Sequence, residues 1–401
     1  MNRKWQKKLK FISICLFIVL FVEIIYVFYA IFLKHSESLY FDGMNALVSN
    51  GSHSVIVGSN NDNDYHYEKA KLSFYDSDWN SSFEKLYNVG YNSAFFGVVF
   101  DGKEIVAVGS YEKTKEDHNH SIRRALIVKY DDSGNVLFSK DFQLLDNSKF
   151  TSIVSVSDGY LVTGQSIYKN TTVGTQEGGA LLIKYDKEGN IIWSRTYGSN
   201  KSAIYNDLLV YNDSIYVVGT DDHYVGILCK YDLNGEFITF NDYKYTDELG
   251  FGGITNIGDE LFVCGANRYS KNNTYAMIVK YDLDCTYLDQ VVYEDNDTAR
   301  YNKIVVDSQN HLVTIGIKLS SKDKNSKLVD VFNYDGIIGK YDSNLRELAV
   351  VTYGDERDDY FTDIELLDGT YVVTGYSSYE DGSYLSKFIR FSDALKILGV
   401  N

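Results

Sequence analysis

The chain of 401 residues contains no proline. Every reversal of the chain must therefore rest on glycine, asparagine, aspartate and serine, which are the other residues that favour turns. Cysteine is also scarce, with four copies at Cys15, Cys229, Cys264 and Cys285. We expect Cys264 and Cys285 at opposite ends of one sheet, too far apart to bridge, so the sequence predicts no disulfide framework. Cys229 falls inside a predicted strand and is expected to be a small core residue.

Positive charge is scarce relative to negative charge. The chain has 39 Lys and Arg against 55 Asp and Glu, which gives a formal net charge of −16. Five of the positive charges lie within the first ten residues, so the remainder of the chain is more acidic still. Because a strongly acidic surface repels phosphate backbones, the composition argues against nucleic acid as a partner.

The start of the chain predicts a membrane anchor. Residues 1–10 form a basic tail, residues 11–33 are apolar apart from Ser13 and Glu23, and residues 34–42 form a linker. An apolar run of this length can span a bilayer, whereas a cleaved signal peptide has a shorter apolar region that ends in an A-x-A-like site. The excess of basic residues before the run predicts a cytoplasmic N-terminus, with the rest of the chain outside.

These features together predict a single-pass protein of the cell membrane that contacts the lipid bilayer through residues 11–33 and carries an extracytoplasmic domain. Unpaired cysteines in an exported domain favour a bacterial envelope over a eukaryotic secretory route. Glu23 lies near the predicted bilayer centre, where a charge is costly. It either contacts another membrane helix or is a protonated or snorkelling residue of a single span.

The rest of the chain is repetitive. Residues 179–197 read as two strands joined by the turn Asp186–Asn190, and the preceding hairpin Thr151–Ser166 turns at Ser157–Gly159. The mark Lys-Tyr-Asp recurs with degenerate copies at both ends, and a glycine that closes the second strand of each unit recurs at a period of roughly 53 residues. These glycines are Gly58, Gly109, Gly164, Gly219, Gly265, Gly316 and Gly375.

Both marks give seven units of four antiparallel strands, which we name A to D with A innermost. Such a repeat predicts an all-β fold, a seven-bladed β-propeller over residues 43–401, preceded by the N-terminal transmembrane helix. Counted from the first strand A, no strand is left over, so the ring would close through packing of blades. A different phase would place one N-terminal strand in the last blade, and the sequence leaves both possibilities open.

Connection lengths distinguish the two faces of this propeller. The A–B and C–D turns are short, whereas the B–C and D–A connections are longer and differ between units. Binding residues concentrate on variable loops held by a rigid scaffold, so we expect a site on the B–C and D–A loop face, around the mouth of the central channel. Tyrosines predicted to bind there, if they are not simply half-buried strand residues, are Tyr224, Tyr269, Tyr301, Tyr360, Tyr376 and Tyr379.

Two carboxylates are predicted on the innermost strands. Asp207 and Asp363 both lie twelve residues before a unit glycine. Two carboxylates at a central channel could perform acid–base chemistry, or they could be hydrogen-bond partners between blades. At the same offset the other units have Ala46, Gly97, Ser152, Gly253 and Ile304. Because none of these is His, Arg or Cys, the sequence favours the structural role.

No cofactor is predicted, and calcium is the only ion that the acidic loops suggest. The candidate clusters are Asp62 with Asp64, Asp295 with Asp297, and Asp355–Asp359. None matches a complete calcium-loop pattern, so solvated acidic loops are the better interpretation. His118 and His120 could bind a transition metal, but no third ligand is identifiable.

The repeat resembles that of bacterial membrane-anchored and secreted β-propeller proteins, whose units read roughly K-Y-D-x-x-G-N-x-x-W. The segment Lys184–Gly198 is the fullest copy, and its spacing is also similar to that of quinoprotein-type blades. Other units depart from it, since most lack the Trp. The resemblance implies the fold and leaves the function open, because such propellers host many roles. The cofactor-binding residues of quinone dehydrogenases and the sialidase aspartate box are not recognisable.

Three functions remain open at this point. The first is a binding or scaffolding module for a protein, peptide or glycan. The second is a hydrolase or lyase with its site at the mouth of the central channel. The third is an envelope-assembly or sensory partner that acts through Glu23 and another membrane protein.

Overall fold

The computed structural model describes residues 44–61, 68–114, 121–170, 175–198, 203–221, 225–243, 250–270, 273–293, 298–321, 332–355, 357–378 and 384–400. Their regular structure consists of antiparallel β-strands in sequential hairpins. No helix among these residues is long and apolar enough to cross a membrane. The predicted transmembrane helix is therefore not seen there. The predicted tail, anchor and linker, residues 1–42, lie outside the described ranges.

Five four-stranded sheets form separate blades of a β-propeller, each built from four consecutive strands. The first blade contains β1 (Met44–Ser49), β2 (His53–Asn61), β3 (Glu68–Asp76) and β4 (Ser81–Tyr87). The eight strands that follow it along the chain are β5 (Tyr91–Asp101), β6 (Glu104–Thr114), β7 (Ser121–Tyr130), β8 (Val136–Phe142), β9 (Asn147–Val156), β10 (Gly159–Asn170), β11 (Thr175–Tyr185) and β12 (Ile191–Tyr197).

The four remaining blades use the rest of the chain. Their strands are β13 (Ile204–Tyr211), β14 (Ser214–Thr220), β15 (Gly226–Asp232) and β16 (Phe237–Asp242); β17 (Phe251–Ile257), β18 (Glu260–Ser270), β19 (Asn273–Asp282) and β20 (Tyr287–Val292); β21 (Ala299–Val306), β22 (Leu312–Ser321), β23 (Phe332–Tyr341) and β24 (Glu347–Tyr353); and β25 (Asp358–Leu367), β26 (Thr370–Ser378), β27 (Tyr384–Ser392) and β28 (Ile397–Val400).

The prediction of seven separate four-stranded blades is wrong. The structure has five such blades, and strands β5 to β12 form one eight-stranded sheet instead. Strands β7 and β9 join in parallel where Arg123 pairs with Asn147, and the Arg123 N–H donates to the Asp146 carbonyl at 2.9 Å. A sequence period identifies strands and turns, but it carries no information on whether the edges of two neighbouring sheets pair.

The two predicted hairpins are confirmed, with their strands and turns at the predicted places. The turn Ser157–Gly159 joins β9 to β10, and the turn after Tyr185 joins β11 to β12. In the second turn the Asp186 carboxylate accepts the N–H groups of Glu188 and Asn190 at 3.0 and 2.7 Å. Equivalent aspartates lie at or directly after the ends of β3, β7, β15, β19 and β23 and accept the N–H of the residue four positions on. The aspartate of the Lys-Tyr-Asp mark is therefore a turn-forming residue, as its side-chain chemistry predicts.

A β-bulge explains the repeated glycine. On each inner strand, which is the first strand of a four-strand run, one residue is skipped in the pairing with the second strand. Asn302 is skipped between Tyr301 and Lys303, opposite Gly316. A Cβ atom at Gly316 would lie 1.8 Å from the Arg300 carbonyl oxygen, so no other residue fits there. The period of the sequence therefore reports the period of the bulge.

The bulged residues link neighbouring sheets. Asn45 Nδ2 donates to the Phe95 carbonyl at 2.8 Å, and Asn206 Nδ2 donates to the Phe251 carbonyl at 2.7 Å. Thr362 Oγ1 makes the equivalent bond to the Met44 carbonyl at 2.5 Å, which joins the last blade to the first. Strands β1 to β4 and β25 to β28 form separate sheets, so among the described residues the ring closes by packing and by such hydrogen bonds.

Residue size is matched across the sheet interfaces at the turns between third and fourth strands. Gly235 has a φ of 78°, and a Cβ there would lie 2.9 Å from the Trp193 ring of the preceding sheet. Where the preceding sheet has a smaller residue, the same turn position holds a side chain, as at Leu395, which belongs to a core cluster against which Ala349 packs. At this interface a larger turn residue therefore takes the space that the tryptophan fills elsewhere.

Candidate functional site

The inner strands surround a cavity of about 410 Å³ in the central channel. It is lined by residues of β1, β5, β9, β21 and β25, together with Asn206 of β13 and Gly252 of β17. The lining begins at the bulged residues and continues towards the first hairpin turns, ending at residues such as Val48 and Ser155. We call this region the turn half of the channel. It lies away from the loop face, where the sequence placed the site.

A charged cluster lies in the channel wall. Lys303 Nζ is 2.9 Å from Asp207 Oδ1, and the Asp207 side chain is only 5% exposed. Asp207 also accepts the hydroxyl of Ser152 at 2.9 Å and the N–H of Ile254 at 3.3 Å. Burial lowers the pKa of Lys303, but Asp207 and Asp363 outweigh it and raise the pKa above its ordinary value. The structure therefore brings both predicted carboxylates into the field of one ammonium.

Lys303 reaches Asp207 across an intervening blade. Strand β17 lies between β13 and β21 in chain order and has Gly252 and Gly253 at the level of the cluster. A Cβ at Gly253 would lie 3.0 Å from the Lys303 Cα, and one at Gly252 would lie 2.5 Å from the Asn302 carbonyl oxygen. The two glycines therefore permit the close approach of β21 that this ion pair requires.

Sequence reasoning missed Lys303 because the number of residues between this inner-strand position and the glycine of the same unit is not constant. Asp363 pairs with Thr374, immediately before Gly375, and Lys303 pairs with Ile315, immediately before Gly316. The two positions are thus equivalent, although their distances from the glycine differ by one residue. The chain between the paired residues Lys303 and Ile315 is one residue longer than that between Asp363 and Thr374, which shifted the sequence alignment to Ile304. Aligning by the aromatic residue before the bulge would have found the lysine.

Asp363 and Glu365 face the turn half of the channel from the same strand. The Asp363 carboxylate accepts the N–H of Leu47 at 2.8 Å and of Ile364 at 3.0 Å. Burial raises the pKa of Asp363 despite Lys303. Burial, assisted by the Asp363 charge, raises the pKa of Glu365 to about 7. A carboxyl group of this kind can exchange a proton near neutral pH.

The predicted tyrosines are found in different environments. Tyr301 is fully buried and its hydroxyl contacts that of Tyr341 at 2.8 Å, so it is a core residue. Tyr269 lies near the end of β18. Tyr224 and Tyr379 lie outside the described residues. Tyr360 and Tyr376 are brought together.

Three tyrosines, Tyr334, Tyr360 and Tyr376, form a group at the loop face that we call the tyrosine stack. The rings of Tyr360 and Tyr376 are stacked with centroids 4.8 Å apart, and Tyr334 lies 5.7 Å from Tyr360. Tyr376 is buried, whereas Tyr334 and Tyr360 are partly exposed. Asp358 fixes the group, because its carboxylate accepts the Tyr334 N–H at 2.9 Å and the Ser378 hydroxyl at 3.3 Å. Tyr334 was not among the predicted residues.

The one predicted calcium cluster that is largely described is occupied by the protein's own cations. Asp359 is fully buried and contacts Lys387 Nζ, while Asp355 pairs with Arg357. The described residues contain no group of three or more His, Cys, Asp or Glu that could hold a metal ion. Asp62, Asp64, Asp295, Asp297, His118 and His120 lie outside the described residues. Cys229, Cys264 and Cys285 are free and buried.

The chain folds as a β-propeller. No protein-family model and no curated protein matches it. Among solved structures it is similar to Sqt1 from Chaetomium thermophilum, with 12% sequence identity and a TM-score of 0.51, over 88% of this chain and 81% of that chain. At this identity the likeness concerns the fold alone.

Two further similar structures have lower scores. The β-propeller domain of the Trilobed protease from Pyrococcus furiosus, described as having an open velcro topology, has 11% identity and a TM-score of 0.44 over 87% of this chain and 94% of that chain. YjhT has 11% identity and a TM-score of 0.44 over 76% of this chain and 96% of that chain. These likenesses carry no information on function.

Proposed function

We propose that this chain is a membrane-anchored, extracytoplasmic β-propeller that binds or scaffolds a protein, peptide or glycan through its loop face. The tyrosine stack of Tyr334, Tyr360 and Tyr376 carries the proposal. The rings are held 4.8 and 5.7 Å apart by strand pairing and by Asp358, so they form a pre-organised aromatic surface. Tyrosine offers apolar area and a hydroxyl at low entropic cost, which suits peptide and sugar surfaces.

The lengths of the connections between strands support a binding surface on the loop face. Connections between second and third strands vary in length, from the two residues between β18 and β19 to the ten between β22 and β23. Connections between first and second strands are short throughout. Variable connections on a rigid scaffold are where recognition residues concentrate.

The binding proposal is tested with the full chain in detergent, applied to glycan and peptide arrays with and without Ca²⁺. We expect a saturable ligand whose affinity falls about tenfold or more in Tyr360→Ala and Tyr334→Ala, because stacked aromatic residues dominate such interfaces. Tyr168→Ala is the matched control, since Tyr168 is 37% exposed on β10, away from the stack. A ligand that binds all three variants equally would contradict the proposal.

The anchoring part of the proposal rests on the apolar run 11–33 and the basic residues before it. It is tested with an enzyme reporter that is active only outside the cytoplasm, fused after residue 401. Activity of this fusion, with fractionation into membranes, is the expected result. Loss of membrane association on deleting residues 1–33 would support the anchor, and an inactive reporter would contradict the orientation.

A second candidate is an extracytoplasmic hydrolase or lyase in the channel. The observation that favours it is the pair Asp363 and Glu365, because a carboxyl with a pKa of about 7 beside a second carboxyl suits general acid–base catalysis. It is tested by screening array ligands for cleavage. Turnover that Glu365→Gln abolishes and Tyr168→Ala leaves intact would favour the enzyme.

A further inference from the structure

The turn half of the channel is a pocket distinct from the tyrosine stack. Its volume of about 410 Å³ compares with roughly 30 Å³ for one water molecule in the liquid. It can therefore hold a molecule of about a dozen non-hydrogen atoms. All of the lining belongs to or adjoins the inner strands, which are tied together by the bulge hydrogen bonds, so the pocket is pre-formed.

The asparagine and lysine donors of this pocket are already used. Asn45, Asn206 and Asn302 each donate through Nδ2 to the carbonyl of a neighbouring sheet, at 2.8, 2.7 and 3.2 Å. These bonds fix the amide orientation and leave the Oδ1 atoms as acceptors. Lys303 is paired with Asp207 at 2.9 Å, and it is the only Lys or Arg in the described lining.

The acceptors, in contrast, remain in excess. Within the described residues Glu365 forms no ion pair, and each Asp363 oxygen accepts one backbone N–H, which leaves further lone pairs. Lys303 is paired with Asp207 and also acts on Asp363 and Glu365, so three carboxylates share one positive charge. The complementary ligand is a cation that is rich in N–H donors.

We propose that the turn half of the channel binds a small organic cation that carries primary ammonium groups, such as an aliphatic diamine. An ammonium group offers three N–H donors and a full charge, which matches a pocket lined by two carboxylates and by asparagine side chains. A metal ion is less well matched, because no described group of three or more metal-ligating side chains is present. This site is independent of the tyrosine stack and goes beyond the function proposed above.

Titration of Glu365 supports this assignment. Burial and Asp363 raise its pKa to about 7, and the charged groups that act on it are Asp363 on its own strand and Lys303 from β21, with Asp207 behind Lys303. A bound ammonium would favour the ionised carboxylate. Affinity for the cation should therefore increase as the pH rises through about 7.

The test is isothermal titration of the full chain in neutral detergent with 1,4-diaminobutane at 150 mM salt, which screens the acidic outer surface. We expect saturable binding that Glu365→Gln weakens about tenfold, since one charge-assisted bond is lost. The matched control Glu188→Gln removes an exposed carboxylate from a surface turn and should bind like the wild type. Butane-1,4-diol, which has the same length without charge, should not bind.

Several results would overturn the proposal. Absence of diamine binding, equal weakening in Glu365→Gln and Glu188→Gln, or equal affinity for the diol would each do so. If Glu365→Gln does not fold, titrations of the wild type at pH 5.5 and 8 replace the variant. An affinity for the diamine that does not increase from pH 5.5 to pH 8 would then refute the proposal. Binding of Ca²⁺ in place of the diamine would also refute it. None of these outcomes affects the array test of the tyrosine stack.

Discussion

Replacing Lys303 by methionine is the most informative perturbation of the channel wall. It keeps most of the apolar stem and leaves Asp207, whose side chain is 5% exposed, without its counter-ion. At 2.9 Å and an effective dielectric constant of 20, the direct attraction is about 6 kcal/mol before desolvation is subtracted. Removing one partner of a buried ion pair typically costs about 3–5 kcal/mol.

We expect the lower part of that range, because Asp207 keeps its hydrogen bonds from Ser152 and Ile254. The free energy of unfolding is measured by urea titration at pH 7, followed through the fluorescence of the three tryptophans. Lys396→Met removes a charge from an exposed position and should change stability by less than about 0.5 kcal/mol. This control separates loss of the pair from loss of a positive charge on an acidic protein.

The double variant Asp207→Asn with Lys303→Met tests whether the unpaired charge causes the loss of stability. It removes both charges, so it should be more stable than Lys303→Met alone by about 1–3 kcal/mol. The reasoning is refuted if Lys303→Met lies within 1 kcal/mol of the wild type, or if the double variant is less stable than the single one. Either result would mean that water in the channel already solvates Asp207.

Three other predictions follow from the same structure. Gly235→Ala should cost about 2 kcal/mol or more, whereas Gly51→Ala, which has a similar φ and nothing within 4 Å of its Cβ, should cost about 1 kcal/mol; equal urea midpoints would contradict the contact with Trp193. Thr362→Val removes the bond to the Met44 carbonyl and should cost about 1 kcal/mol in urea unfolding; no change would show that this bond does not stabilise ring closure. Because the folded-state pKa of Glu365 is raised to about 7, its stabilising contribution is complete below its unfolded pKa and is lost as the pH rises through 7. Glu365→Gln should therefore be more stable than the wild type at pH 8, by about 2–3 kcal/mol relative to the difference at pH 4, and a pH-independent difference would refute the shift.

The site was only partly predictable. Asp207 and Asp363 were identified from their offset, and the structure places both near Lys303. The lysine itself was missed because one longer turn shifts the count. Tyrosine frequency selected Tyr360 and Tyr376, which the structure brings together, but the same signal also selected Tyr301, which is buried against Tyr341. Residue type alone does not reveal which side of a strand faces the core.

The sequence by itself determined the strands, the turns and the repeat. These features rest on local causes: aspartate accepts the N–H groups of its own turn, and glycine opposite a bulge avoids a carbonyl oxygen that would lie 1.8–2.6 Å from a Cβ. The tertiary structure alone decided that β5 to β12 form one sheet and that Lys303 meets Asp207, 96 residues away along the chain. It also decided that Asp363 accepts the N–H of Leu47, 316 residues away. Such contacts depend on how the sheets are placed around the channel, and no local pattern encodes that placement.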